Sequence, residues 1–225
     1  MKNHTLARIA GGLYLLLAIL GSWAQLAVRG SIFAPGDATA TAANIVANET
    51  LFRWGIAADV LMALVFVLLG LALHRLLRPE NAAWATAMLV FISVAAGSIL
   101  VNLTFQVGAL VVATDPAYAS LGDTLALLLL DLHHYGYVLG GIFFGLWLLP
   151  IGIIALRSPL FHRGLGVAVV IGAIAWLFDP LLSLVLPENL AILRTLVSIP
   201  TVVAEFGLIA YLLIVGVRKR ALVQV

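Results

Sequence analysis

Six long apolar runs alternate with short polar connections along the chain, at approximately Leu6–Val28, Leu51–Leu76, Ala83–Val112, Leu125–Leu156, Leu165–Leu186 and Ala191–Val217. A hydrocarbon core about 30 Å thick needs roughly 20 apolar helical residues to cross it, and every run reaches that length. Backbone N–H and C=O groups find no water in lipid, so a continuous helix is the form each run takes. The connections carry turn and charge signals: Arg78-Pro79-Glu80-Asn81, Thr114-Asp115-Pro116, Arg157-Ser158-Pro159 and Leu186-Pro187-Glu188-Asn189. None is long enough to separate domains. The pattern predicts an all-α membrane protein, a six-transmembrane-helix bundle forming one integral membrane domain over residues 1–225. The first run is longer than a signal-peptide core and no small-x-small site closes it cleanly, so it is read as a helix of the mature protein.

The connection Arg29–Thr50 differs from the others. Pro35-Gly36 predicts a turn, and Asp37 is a good N-cap for the Ala/Thr-rich stretch that runs to Asn48. That helix is too short and polar to span. It is expected at the interface of the first outer loop or folded back over the bundle.

Composition narrows the class. Hydrophobic residues make up 64% and charged residues 10%, against about 45–50% and about 25% in soluble domains. The mean hydropathy is +1.17. A soluble enzyme, a disordered chain and an ordinary nucleic-acid binder are excluded. The 12 Lys and Arg stand against 10 Asp and Glu and are scattered, whereas phosphate backbones are bound by clustered bases. Cysteine is absent, which removes disulfides, thiolate zinc sites, iron–sulfur clusters and covalent haem.

Basic residues set the expected orientation. With the N-terminus in the cytoplasm, Lys2, Arg8, Arg75, Arg78, Arg157, Arg163, Arg218, Lys219 and Arg220 are inside. Only Arg29, Arg53 and Arg194 are outside, where Asp37, Glu49, Asp115, Asp123 and Glu188 also lie. Both termini are therefore expected in the cytoplasm, with the protein in a bacterial cytoplasmic membrane.

Several motifs together resemble the DUF4386 family of bacterial membrane proteins. They are Ala7-Arg8-Ile9-Ala10-Gly11-Gly12-Leu13-Tyr14, Val28-Arg29-Gly30, Pro35-Gly36-Asp37-Ala38 and Phe52-Arg53-x-Gly55-Ile56-Ala57-Ala58-Asp59. His134-x-Gly136-Tyr137, Ile142-Phe143-Phe144-Gly145-Leu146 and Ala204-Glu205 add to the pattern. His162 and Tyr211 depart from it, where Pro and Trp are expected. The resemblance implies a six-helix bacterial membrane protein and carries no established function.

On this topology the polar residues within spans share one half. Arg53 and Asp59 open span two, and Asn102 and Gln106 close span three. Asp131, His133, His134, Tyr135 and Tyr137 open span four, Asp179 closes span five, and Arg194 and Glu205 open span six. A lone carboxylate at mid-membrane costs roughly 2.5–3.5 kcal/mol, so four isolated ones would cost on the order of 10 kcal/mol. A shared polar pocket in the outer half avoids that cost, lined by Arg53, Asp59, Gln106, Asp131, His134, Tyr137, Asp179 and Glu205.

Asp131 and His134 are three apart and share a helix face. With Asp59 and Glu205 they are the candidate ligands for a divalent metal. His133 falls about 100° round the helix from His134 and is read as off that face. There is no His-Glu-x-x-His motif, and a hydrogen-bonded histidine is favoured over a ligand. Plainer readings stand beside the functional ones. Arg53 and Arg194 snorkel, Asp179-Pro180 marks a kink, and the glycine pairs Gly136/Gly140 and Gly141/Gly145 serve close packing. Glu205 is expected to bond to span two or four, through Asp59, His134 or Tyr137.

The favoured function is a transporter- or sensor-like membrane protein whose pocket binds a small molecule or ion. The alternative is an intramembrane metal-assisted hydrolase acting on a lipid or other amphiphile, with Glu205 or Asp59 as general base. A further alternative is a structural or regulatory partner of another membrane protein. The expected partners are the lipid bilayer and a small ligand, and no nucleic acid.

Overall fold

The computed structural model describes residues 3–186 and 191–218. Glu188, Lys2, Lys219 and Arg220 of the charge pattern lie outside the described residues, as does the Arg194 side chain. Among the described residues six helices are long and apolar enough to cross a membrane. In chain order they are α1 (Asn3–Ile32), α3 (Glu49–Leu77), α4 (Ala82–Thr114), α5 (Gly122–Arg157), α6 (Arg163–Val185) and α7 (Ala191–Ile214). The short helix α2 (Ala38–Ala47) lies in the first connection, as the turn and cap signals predict.

The predicted spans and the helices agree in number and order. The largest difference is at the end of α1, which runs on past Val28 to Ile32 through a π-helical stretch, Trp23–Arg29. The sequence reads Arg29 as the first loop residue. In the structure it is helical and buried.

The backbone groups into two compact units. One contains Leu16–Val65 and Ala96–Leu139. Its apolar core joins Val28, Ile32, Ile45, Phe52, Ala109, Leu110 and Leu130. Helix α2 belongs to this core through Ile45, and the turn before it uses Gly36 at φ 76°, a conformation that favours glycine. Asp37 accepts from the Ala40 N–H at 2.9 Å and caps the helix. Thr41 is buried and exchanges two hydrogen bonds with the Ala34 backbone. Asn44 donates to the Ile32 carbonyl at 3.1 Å, meeting one of the open acceptors at the end of α1. The helix thus folds back onto its own unit.

The other unit contains Met1–Leu15, Phe66–Ala95 and Gly140–Val225. Here glycines permit close helix approach, as the small-residue spacing predicts for span four. A Cβ at Gly145 would lie 2.7 Å from the Ala173 carbonyl oxygen. Aromatic rings fill the space between helices. Tyr14 meets Trp147 edge-on at 5.3 Å, Trp147 meets Phe66 at 5.2 Å, and Phe144 meets Trp176 at 5.3 Å. Such edge-to-face pairs are the favoured ring arrangement.

Candidate functional site

The first polar centre lies in the unit that holds α2. A π-helical stretch bonds each N–H five residues back rather than four, which changes the face on which later residues fall. Arg29 closes that stretch and is only 8% exposed, while Gly30 and Ser31 beside it are exposed. Its Nε donates to Gln25 Oε1 at 2.7 Å, and its Nη1 donates to Asp59 Oδ2 in a buried ion pair. Asp59 is 1% exposed.

Gln106 extends the network. Its Nε2 lies 3.5 Å from Asp59 Oδ2 and 2.8 Å from His133 Nε2. Asn102, one turn earlier on α4, donates from Nδ2 to the His133 carbonyl at 2.9 Å. His133 Nδ1 lies 3.3 Å from the Asn102 carbonyl oxygen. Asn102 Nδ2 also lies 3.1 Å from His133 Nδ1, and the tautomer that suits the Gln106 side of the ring follows from donor counting. The amide nitrogen of Gln106 must face the carboxylate, because its oxygen would be repelled there. The same NH₂ group reaches His133 Nε2, which therefore accepts. In that tautomer the imidazole proton is on Nδ1, facing the Asn102 carbonyl. The result is a chain Arg29–Asp59–Gln106–His133–Asn102 built from α1, α3, α4 and α5.

Two buried acceptors in this chain, Asp59 Oδ1 and Asn102 Oδ1, have no hydrogen-bond partner among the described residues. Gly136 makes room for the second: a Cβ there would lie 2.1 Å from Asn102 Oδ1. Buried polar atoms are normally satisfied, and each exception calls for a physical reason.

The second centre is Glu205, in the other unit. Oε2 accepts from the Tyr14 hydroxyl at 3.0 Å and Oε1 from Trp176 Nε1 at 2.6 Å. The expected bond to Asp59, His134 or Tyr137 is replaced by donors on α1 and α6. Tyr14 and Trp176 stand at opposite ends of the aromatic chain that runs through Trp147, Phe66 and Phe144, so the carboxylate closes that chain into a loop. Both of its oxygens are used.

The other sequence candidates fall elsewhere. Arg53 points outward and pairs with Glu49 at 2.7 Å on the surface of α3, an exposed pair that contributes little. His134 is exposed, with its ring against Tyr135, so the two neighbouring histidines exchange the roles expected of them. Asp131 is half-buried. Tyr137 is half-buried with its ring 6.3 Å from that of His133. Asp179 is half-buried and belongs with Glu205 to the second-named unit. Among the described residues no three His, Asp or Glu are placed to hold a metal ion, and the candidates His134, Asp131, Asp59 and Glu205 are not gathered into such a group.

The family model for a domain of unknown function, DUF4386, matches residues 9–216. The chain belongs to the DUF4386 family. No curated protein and no solved structure matches it. The matched span includes every residue of both polar centres of this DUF4386 chain.

Sequence reasoning passed over Arg29, His133, Tyr14 and Trp176. One available signal was the i, i+4 spacing of Asn102 and Gln106, which puts two amides on one face and requires polar partners opposite. His133 is the partner that meets them. Arg29 carried no such signal, because only the π-helical turn brings it inward.

Two expectations follow. Arg29→Gln leaves Asp59 buried without its charge partner and should destabilise the protein by about 3–5 kcal/mol, the cost of breaking a buried pair. The double variant Arg29→Gln/Asp59→Asn removes both charges and should recover much of that loss. Equilibrium unfolding in micelles measures both, and simply additive losses would show that the pair is not coupled. For Glu205, Trp176 can only donate while Tyr14 can also accept. A glutamine can therefore turn its oxygen to Trp176 and its NH₂ to Tyr14. Glu205→Gln should stay within about 1 kcal/mol of the parent, whereas Glu205→Ala strands both partners and should cost roughly 1–3 kcal/mol. Equal losses for the two variants would contradict this bonding.

Proposed function

We propose that this protein is a membrane-embedded binding protein, sensor- or transporter-like, whose ligand site is centred on Asp59. The observation that carries the reading is the unpartnered Asp59 Oδ1, an acceptor in a residue 1% exposed whose other oxygen is already held by Arg29 and Gln106. A buried acceptor without a donor costs about 1–3 kcal/mol, and more for a charged group. A ligand that supplies donors or positive charge recovers that energy, which is the differential interaction that binding requires. Asn102 Oδ1 is the second open acceptor in the same chain. The ligand class is accordingly a small cation or a small molecule with hydrogen-bond donors. A second reading, that the network only fastens α1 to its neighbours, is supported by the bonds of Arg29 to Gln25 and Asp59.

Sodium, potassium and ammonium chloride, each against choline chloride at equal ionic strength, separate the two readings. Purified protein in nanodiscs should gain thermal stability with at least one of the small cations. The Arg29→Gln/Asp59→Asn variant keeps no charge at the site and should lose that gain. If parent and variant respond alike to every salt, the cation reading fails and the fastening role is favoured.

We further propose the cytoplasmic membrane of a bacterium as its location, with both termini in the cytoplasm. Support comes from the basic residues. Arg29 is buried in an ion pair, so it drops out of the outer count and the bias becomes nine against two, three minus one. The chain has no cysteine, so single cysteines report cleanly. In intact cells Thr39→Cys, exposed on α2, should react with an impermeant maleimide. Pro79→Cys, exposed between α3 and α4, should react only after the cells are opened. The opposite pattern would reverse the orientation.

A further inference from the structure

One end of the unit that carries Glu205 presents chemistry unrelated to either polar centre. The connection between α5 and α6 and the segment after α7 meet there, where the Arg218 N–H donates to the Leu160 carbonyl at 2.9 Å. A surface cavity of about 360 Å³ opens at this junction, lined by Arg157, Arg163, Arg218, His162 and Ser158 among others. A second cavity of about 550 Å³ shares His162 and Arg218 with it and is walled by Leu165, Tyr211 and Val215. The two are therefore contiguous, one basic and one apolar.

The three arginines are exposed, and none takes part in an ion pair among the described residues. The acid at this end, Glu80, accepts from the Ser158 hydroxyl at 2.7 Å and lines a separate cavity of about 70 Å³ with Arg157. Ser158 Oγ in turn accepts from the Leu160 N–H at 3.1 Å, which fixes the connection that forms the cavity wall. Tyr211 rests on Phe161 with ring centroids 6.0 Å apart, and its hydroxyl is buried with no partner among the described residues. The apolar groove thus takes the Tyr211 ring as part of its wall, beside the exposed arginines.

We propose that this junction is a binding site for an anionic phospholipid, with the phosphate in the basic cavity and an acyl chain in the apolar groove. Charge complementarity selects the headgroup: guanidinium groups present several donors to phosphate oxygens, and three of them line one cavity with no ion pair to any of them among the described residues. The adjoining groove selects an amphiphile over free phosphate, because its lining of Leu165, Val215 and the Tyr211 ring offers a hydrocarbon chain a surface that an inorganic ion would leave empty. Basic pockets between helix ends are a recurrent form of such recognition.

The test uses the full chain in a neutral detergent. Thermal stability is measured with added phosphatidylglycerol, phosphatidylcholine or inorganic phosphate, and retained lipid is counted by native mass spectrometry. Phosphatidylglycerol should raise the melting temperature and remain bound, while phosphatidylcholine and inorganic phosphate should do neither. Arg157→Gln, Arg163→Gln and Arg218→Gln should each weaken phosphatidylglycerol binding about fivefold, the effect of one interfacial basic residue. An equal response to phosphatidylcholine overturns the headgroup assignment. An equal response to inorganic phosphate overturns the lipid assignment. Undiminished phosphatidylglycerol binding in the arginine variants, each folded as judged by circular dichroism, overturns the site.

Discussion

A carboxylate placed among apolar helices must find donors, and Asp59 is where that requirement shapes the fold most. Its Oδ2 is met by Arg29 from α1 and Gln106 from α4. Neither donor is there by default. Arg29 reaches inward because the end of α1 runs as a π-helix, a turn that helices adopt rarely and at functional sites disproportionately. Gln106 is positioned with Asn102 one turn away, and the pair brackets His133 on α5. Close approach of that helix depends on Gly136, where any side chain would collide with the Asn102 amide. One desolvated charge thus accounts for the special backbone of α1, the amide pair on α4 and the glycine on α5.

Glu205 meets the same requirement differently. Its two oxygens are satisfied by Tyr14 and Trp176, and the donors are themselves fixed in an aromatic chain. Each oxygen has a donor, so packing and hydrogen bonding give the group a structural role. Asp59 retains one unmet oxygen in a residue more deeply buried. This contrast, rather than the presence of charge inside a span, separates a ligand-site candidate from a structural fastening. An intramembrane acid is a functional hypothesis by default, but the count of its partners decides whether the hypothesis survives.

The number, order and helical nature of the spans were legible because they depend on length and hydropathy, which a sequence states directly. The short helix α2 was legible for a local reason: Asp37 caps it and Gly36 turns into it. Site membership was legible only in part. Asp59 and Gln106 do meet in one network, as clustering by depth suggests. Depth along a span is one coordinate, however, and the face of the helix is the other. His133 and His134 lie at the same depth, yet only His133 is buried. Arg53 and Asp59 share a span, yet Arg53 faces outward to Glu49. Facing could have been read from Asn102 and Gln106, which require partners opposite them. The π-helical turn that recruits Arg29 could not, since no residue in Trp23–Arg29 announces it.

The Arg29–Asp59 pair also bears on how a bound ligand would be communicated. The pair is neutral as a whole, so a cation drawn to Asp59 Oδ1 competes electrostatically with the guanidinium on Oδ2. Weakening that bond releases the only ion-paired hold on the end of α1 seen among the described residues. The stretch it holds is the π-helix, whose i→i+5 bonding competes with ordinary α-helical bonding of the same chain. Relaxation to the α form would turn Arg29 away from Asp59 and shift every residue between it and α2. Because Asn44 of α2 is bonded to the Ile32 carbonyl at the end of α1, that shift would reach the first connection of the chain. A ligand needs a different affinity for the two arrangements to move such an equilibrium. Under the ligand reading proposed above, charge competition at Asp59 would supply that difference and would tie the unmet acceptor to the irregular helix.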